Sequence, residues 1–83
     1  MNTLEHIRGV LRATLNLGDR AASLTEASPL LGGLPEFDSM AVVAVVTMLE
    51  DELGITVHDD ELSAEVFATV GSLCQFVEGK LAA

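Results

Sequence analysis

The segment DSMAVVAVVTMLEDELG, residues 38–54, constrains the fold of this chain more than any other part of the sequence. Its valines favour strands by intrinsic propensity. Its length, the acidic residue that opens it and the Glu-Asp-Glu-Leu-Gly sequence that closes it favour a helix instead. We therefore predict a helix from about Ser39 to Leu53, with Asp38 as its N-terminal cap and Gly54 as its C-terminal stop.

The predicted helix carries apolar residues on two sides. At about 100° per residue, one narrow face is predicted to enter the core. That face consists of Val42, Val45, Val46, Leu49 and Leu53. Roughly opposite lie Met40, Val43, Ala44 and Thr47. An apolar face directed away from the core requires a reason, and contact with another molecule is the usual one.

Apolar stripes at helical spacing predict two more long helices. The first covers about residues 3–16, from a cap at Asn2 or Thr3 to a stop at Gly18. The last covers about residues 70–81 and is capped by Thr69. The core-facing residues predicted in these two helices are Leu4, Ile7, Leu11 and Leu15, and then Val70, Leu73, Cys74, Val77 and Leu81.

A long connection and a short acidic segment join the long helices. The connection, residues 18–37, is long for a loop in a compact domain. We expect its leucines and its phenylalanine to pin it to the core, around a helical turn near residues 24–27. A brief helix capped by Asp59 or Asp60 and reaching about Ala64 follows the second long helix. These elements predict one all-α domain over residues 1–83, a four-helix bundle with three longer helices and a short third one.

The chain is strongly acidic, with 13 acidic residues against 4 basic ones and a net charge of −9. Such a chain repels nucleic acid and anionic membrane surfaces, and it favours a protein partner rich in Arg and Lys. Glu50, Asp51 and Glu52 interrupt the longest apolar run, so no membrane insertion is expected. The start of the chain does not have the layout of a signal peptide, so we expect a cytoplasmic protein in which Cys74 is reduced. We also expect a monomer.

The sequence offers little for catalysis or metal binding. His6 and His58 have no serine or cysteine at the spacing of a catalytic motif, so we expect both to be exposed structural residues. The acidic stretch 59–65 lacks the alternating ligands of a calcium-binding loop. We therefore predict that the protein is not an enzyme and holds no metal.

Asp38 and Ser39 at the start of a helix allow two interpretations. An acid followed by a hydroxyl there is ordinary capping chemistry. A helix N terminus also suits a phosphate, because its first N–H groups are unpaired and its dipole favours negative charge. A serine in the first turn projects outward. Ser39 could therefore carry a covalent phosphodiester. The apolar and acidic residues beside it would then form a surface that enzymes contact.

Three stretches of the chain, taken in order, carry a resemblance to a known family. They are Asp38-Ser39 before a large apolar residue, LEDELGITVHDDEL at 49–62 and FATVGSLCQFVEGKL at 67–81. On these stretches the chain resembles an acyl carrier protein. It implies that Ser39 carries a 4′-phosphopantetheine arm, which a separate transferase attaches from coenzyme A with Mg²⁺. The arm's thiol would hold an acyl or aminoacyl group as a thioester, and the protein itself would catalyse nothing.

The resemblance also implies roles for the residues around Ser39. Asp38 would cap the helix and approach the metal of the phosphopantetheinyl transferase. An acyl ligase, synthase or acyltransferase with a basic docking patch would be the other partner. The partner-binding residues would be Met40, Val43, Thr47, Glu50 and Asp51. The acyl chain would shelter between helices beside Val42, Val45, Val46, Leu49 and Leu53.

The chain departs from the carriers of fatty-acid synthesis near Ser39. Those carriers have leucine after the serine and acids two and five positions after it, where this chain has Met40, Ala41 and Ala44. The docking face is thus predicted to be more apolar, which suggests a specialised free-standing bacterial carrier. The sequence LPEFDSMAVVAVV also resembles carriers of exopolysaccharide and exosortase loci. Asp-Ser-Met at 38–40 is also similar to the carrier that takes D-alanine to teichoic acid. The alternative function is a small acidic helical adaptor that binds a basic protein without any prosthetic group.

Overall fold

Three α-helices and two short 3₁₀ helices make up the computed structural model, which describes residues 2–82. The helices are α1 (Thr3–Leu15), α2 (Ser39–Leu53) and α3 (Val70–Ala82), and the 3₁₀ helices cover Gly18–Ser23 and Asp59–Glu61. Within this described part the chain forms no strand, and Pro29 and Thr69 form an isolated bridge. The predicted all-α bundle is confirmed.

Polar side chains begin α1 and α3 as predicted. Asn2 Oδ1 accepts a hydrogen bond from the Glu5 N–H at 3.1 Å, at the start of α1. Thr69 Oγ1 accepts from the Ser72 N–H at 3.0 Å, and Ser72 Oγ accepts from the Thr69 N–H at 3.0 Å. These contacts satisfy N–H groups that have no partner inside the helix.

The end of α1 differs from the prediction. The helix ends at Leu15 because Asn16 adopts the left-handed conformation, with φ 56°. Asparagine tolerates this conformation better than most residues, so it can end a helix as glycine does. Gly18, predicted as the stop, instead begins the first 3₁₀ helix, and this element replaces the helical turn predicted near residues 24–27.

The short third helix is also smaller than predicted. It is a 3₁₀ helix over Asp59–Glu61 rather than a helix reaching residue 64, and its N-terminal cap residue is His58. Glu61 Oε1 accepts from the His58 N–H at 3.0 Å and from Lys80 Nζ at 2.6 Å. The hydrogen bonds from Lys80 and from the His58 backbone lower the pKa of Glu61. The segment is thus fastened to the last turn of α3 by an ion pair.

One hydrophobic cluster joins all three α-helices and the connection between α1 and α2. Two leucines predicted to face this core do not enter it, because Leu31 is 40% exposed and Leu81 is 41% exposed. Leu4 and Leu34 are partly buried against it. The largest fully buried side chains are Ile7, Leu11, Leu30, Leu49 and Leu73.

Backbone hydrogen bonds fix the long connection to the start of α3. The Leu30 N–H donates to the Ala68 carbonyl at 2.9 Å, and the Gly71 N–H donates to the Glu26 carbonyl at 2.8 Å. The Val70 N–H donates to another carbonyl of the connection at 2.9 Å. The connection therefore satisfies N–H groups at the N-terminal end of α3 and is held in place although it is not a regular element.

Gly33 is required by close packing within this connection. A Cβ atom there would lie 2.6 Å from the Pro29 carbonyl oxygen and 2.4 Å from its Cγ. We expect Gly33→Ala to destabilise the fold by about 1–3 kcal/mol, because backbone atoms would have to shift. Gly79→Ala in α3 is the matched control, since a Cβ there meets nothing within 4 Å.

The control should raise stability by about 0.5–1 kcal/mol, because alanine is the better helix former. Urea denaturation of both variants measures the difference. Equal midpoints for Gly33→Ala and the wild type would contradict the close approach to Pro29.

Candidate functional site

Ser39 is the first residue of α2, and Asp38 before it caps the helix. The Asp38 backbone is extended, with φ −108° and ψ −173°, and its Oδ1 accepts from the Ala41 N–H at 2.9 Å. Both Asp38 and Ser39 are exposed. The structure places this hydroxyl where the sequence predicted it, outside the core at the positive end of a helix.

Met40 and Val43 form an exposed apolar face directly after Ser39. Met40 is 78% exposed and Val43 is 62% exposed. Ala44 and Thr47 on the same side of α2 are also exposed. Ala41, at a position where the carriers of fatty-acid synthesis have an acid, does not belong to this face, because its side chain is buried in the core.

The opposite face of α2 packs into the bundle. Val45, Val46 and Leu49 are buried, and Leu49 is only 2% exposed. Val42 and Leu53 are partly buried and pack against the same cluster. The five residues predicted to line an acyl pocket therefore form one continuous inner surface of α2.

The three consecutive acids at the end of α2 differ in their surroundings. Glu50 Oε2 accepts from the Val57 N–H at 2.9 Å, so this carboxylate ties down the irregular segment that follows α2. Glu52 Oε1 lies 3.0 Å from His6 Nε2 on α1. Asp51 is exposed. Sequence reasoning grouped Glu50 with Asp51 as partner-binding acids and missed this internal contact of Glu50.

Substitutions should separate the two acids. We expect Glu50→Ala to destabilise the fold by about 1–3 kcal/mol, because the partly buried Val57 N–H loses a charged acceptor. Asp51→Ala should change stability by less than about 0.5 kcal/mol, as is usual for exposed positions. Urea denaturation of the pair measures this difference, and equal stabilities would mean that the Glu50 contact is not formed in solution.

Arg20 and Glu36 form an ion pair beside the segment that leads into α2. Arg20 Nη1 lies 2.5 Å from Glu36 Oε2, and Nη2 lies 3.0 Å from Oε1. The neighbouring Phe37 is buried, with its ring centroid 5.7 Å from that of Phe67. Sequence reasoning did not pair Arg20 with Glu36, because they are 16 residues apart and no local pattern connects them.

The histidines and the cysteine form no catalytic group. His6 is half-buried beside Glu52, rather than freely exposed as expected, and His58 is exposed. Cys74 is buried on the inner face of α3, and burial raises the pKa of its thiol. Within residues 2–82, no group of three or more His, Cys, Asp or Glu side chains could hold a metal ion.

The exposed side of α2 continues into a shallow open groove toward α1. The apolar Ala44 and Met48 line the groove together with the acids 50–52 and with Thr14 and Thr47, which carry hydroxyls. A mixed apolar and acidic groove of this kind suits a partner surface that presents apolar and cationic side chains.

The residues at the start of α2 fit a covalently attached phosphopantetheine. The Ser39 hydroxyl is exposed and stands clear of the core. The first N–H groups of α2 have no partner inside the helix, and Asp38 satisfies one of them, at Ala41. The remaining N–H groups and the helix dipole favour a phosphate at this end. When bound, the group supplies a flexible arm with a terminal thiol.

Comparisons with known proteins agree with this geometry. A family model described as a phosphopantetheine attachment site matches residues 5–77. The solution NMR structure of a holo acyl carrier protein from Nitrosomonas europaea is similar along both whole chains, with 53% identity and a TM-score of 0.91. No curated protein sequence gives a significant match. Within residues 2–82, no helix is both long and apolar enough to cross a membrane.

These matches do not favour the alternative of an adaptor without a prosthetic group, because the matched family model describes the attachment site itself. The family match covers most of the chain, and the structural match covers all of it. The chain therefore belongs to the family of acyl carrier proteins, which carry acyl groups on 4′-phosphopantetheine and are not themselves enzymes.

Proposed function

We propose that Ser39 is the residue to which 4′-phosphopantetheine is attached. The observation that carries this proposal is the position of its hydroxyl, exposed at the first residue of α2 behind the Asp38 cap. In this reaction Ser39 Oγ gives up its proton and attacks the pyrophosphate of coenzyme A at the phosphorus that bears pantetheine. The pyrophosphate bond breaks, a phosphodiester to Ser39 forms, and adenosine 3′,5′-bisphosphate leaves. Asp38 holds the end of the helix in shape and presents its exposed carboxylate toward the metal of the transferase.

The partner enzymes, in this proposal, dock on the exposed side of α2. Met40, Val43 and Thr47 supply an apolar contact beside Ser39, and Asp51 supplies charge at the far end of the helix. Glu50 also belongs to this surface, although its carboxylate already binds the Val57 N–H. The partners are a phosphopantetheinyl transferase and an acyl ligase, synthase or acyltransferase that presents Arg and Lys.

The acyl chain shelters, in this proposal, against the inner side of α2. Val45, Val46 and Leu49 are closely packed there, and Val42 and Leu53 flank them. An acyl chain enters only if α2 and the neighbouring segment separate, because protein cores leave few voids. The apolar start of the docking face favours a specialised bacterial carrier, acting as a cytoplasmic monomer of one domain.

Modification is tested with a broad-specificity transferase and coenzyme A. Intact mass should rise by one phosphopantetheine group. Thiol titration of the native protein gives a second readout, because Cys74 is buried and its thiol has a raised pKa. The unmodified protein should show no fast-reacting thiol, and the modified protein should show one. No gain in mass, where a control carrier is modified, would contradict the proposal.

The docking face predicts a separate effect. Val43→Asp should lower kcat/KM of the transferase by about tenfold, which corresponds to loss of one apolar contact of about 1.4 kcal/mol. The melting temperature should stay nearly constant, because Val43 is exposed. Ala13→Asp, at an exposed position of α1, adds the same charge and serves as the control. Equal kcat/KM for both variants would place the docking face elsewhere.

A further inference from the structure

The Arg20–Glu36 pair has the geometry of a specific contact rather than a loose surface attraction. Each terminal nitrogen of the guanidinium donates to one carboxylate oxygen, Nη1 to Oε2 at 2.5 Å and Nη2 to Oε1 at 3.0 Å. A paired arrangement of this kind restricts the relative orientation of the two side chains as well as their distance. It joins the first 3₁₀ helix to the segment just before α2, across 16 residues of chain.

The Arg20 end of the pair is held firmly. The Arg20 N–H donates to the Leu17 carbonyl at 3.2 Å, and its own carbonyl accepts from Ser23 Oγ at 2.8 Å. The neighbouring Leu17 and Ala21 are buried in the core. The guanidinium therefore projects from a 3₁₀ helix that is anchored on both sides of Arg20.

The Glu36 end is connected directly to the cap of α2. The Phe37 N–H donates to the Leu34 carbonyl at 3.0 Å, and the Asp38 N–H donates to the Glu36 carbonyl at 3.1 Å. Phe37 points inward against Phe67 while Glu36 points outward to Arg20. The turn before Ser39 is thus held on its core side by the contact between Phe37 and Phe67, and on its solvent side by the ion pair.

The pair contributes little to global stability, because ion pairs between exposed side chains are worth little in water. Its hydrogen bonds lower the pKa of Glu36 and raise that of Arg20, so both groups stay charged at neutral pH. A contact with little stabilising value but a defined geometry, two residues from the Asp38 cap, is suited to orientation of the turn.

We propose that Arg20 and Glu36 are positioning residues for the modification of Ser39. Their pair holds the turn of residues 34–38, and therefore the Asp38 cap and the Ser39 hydroxyl, in the orientation in which the transferase modifies it. This inference rests on the proposed attachment at Ser39. Loss of the pair lets the turn move, which reduces the fraction of encounters in which the hydroxyl is correctly placed.

Steady-state kinetics of the unmodified protein as transferase substrate test this inference. Arg20→Gln and Glu36→Gln should each lower kcat by about two- to fivefold, because an exposed ion pair can shift the population of the correctly oriented turn by no more than about that factor. KM should change little, because the face around Met40 and Val43 is untouched. The exchanged pair Arg20→Glu/Glu36→Arg should recover most of the lost kcat. Arg12→Gln, at an exposed position of α1, removes the same charge and is the matched control.

Amide hydrogen exchange provides a readout that does not involve the transferase. Exchange at residues 36–41 should speed up in both single variants and return toward the wild-type rate in the exchanged pair. The inference is overturned if the single variants keep the wild-type kcat. It is also overturned if the exchanged pair is as slow as the single variants, since Arg20 would then act by direct contact with the transferase. If the attachment proposal itself failed, the wild-type protein would gain no mass. If only the positioning inference failed, the wild type would still be modified.

Discussion

Ser39→Ala is expected to abolish phosphopantetheine attachment completely while the fold remains intact. The substitution removes the hydroxyl oxygen that forms the phosphodiester, and no other atom of the side chain can replace it. The hydroxyl is exposed, and the cap is supplied by the Asp38 carboxylate, which stays in place. Stability should therefore change by less than about 0.5 kcal/mol.

Intact mass after incubation with transferase and coenzyme A measures the effect, together with a thermal melt followed by circular dichroism. Ser63→Ala is the matched control, because Ser63 is another exposed serine outside α2 and should leave modification unchanged. A mass gain in Ser39→Ala would assign the attachment to a different hydroxyl. Unfolding of Ser39→Ala would mean that the hydroxyl has a structural role.

Leu49→Ala is expected to have the opposite effect, a large loss of stability with an intact attachment site. Leu49 is 2% exposed on the inner face of α2. Truncating a buried leucine costs about 2–5 kcal/mol, from lost burial and from the cavity that remains. Small domains are stable by only about 5–15 kcal/mol, so this loss is a large part of the total.

Urea denaturation measures the loss, with Thr47→Ala as the matched control. Thr47 is exposed two residues away on the same helix, so its truncation should change stability by less than about 0.5 kcal/mol. Modification at Ser39 should still go to completion in both variants under folding conditions. A cost below about 0.5 kcal/mol for Leu49→Ala would mean that the two faces of α2 have been assigned wrongly.

The two predictions concern the two sides of a single helix. The inner side of α2 supports the fold through Val45, Val46 and Leu49, and the outer side displays Met40 and Val43 beside the attachment residue. The two sides of this helix differ little in hydrophobicity, because both carry apolar residues. Stability and partner recognition should therefore respond to different substitutions along α2.

Local patterns determined a large part of this structure. The bounds of α2, its Asp38 cap and its Gly54 stop follow from capping chemistry within a few residues. The inner and outer sides of α2 follow from the helical period. The exposed position of Ser39 follows from both, which is why the sequence by itself supports the resemblance to a carrier protein.

Only the tertiary structure decided which polar side chains are used inside the fold. From the sequence, Glu50 is expected to be a surface acid like Asp51, but its carboxylate accepts a hydrogen bond from the Val57 N–H. Arg20 pairs with Glu36 across the long connection. Leu31 has the same apolar character as its neighbours, but it remains exposed. Such choices depend on which segments meet in space, because residues far apart in sequence compete for the same contacts. Capping and helical periodicity act within a few residues of the chain, so they carry no information about that competition.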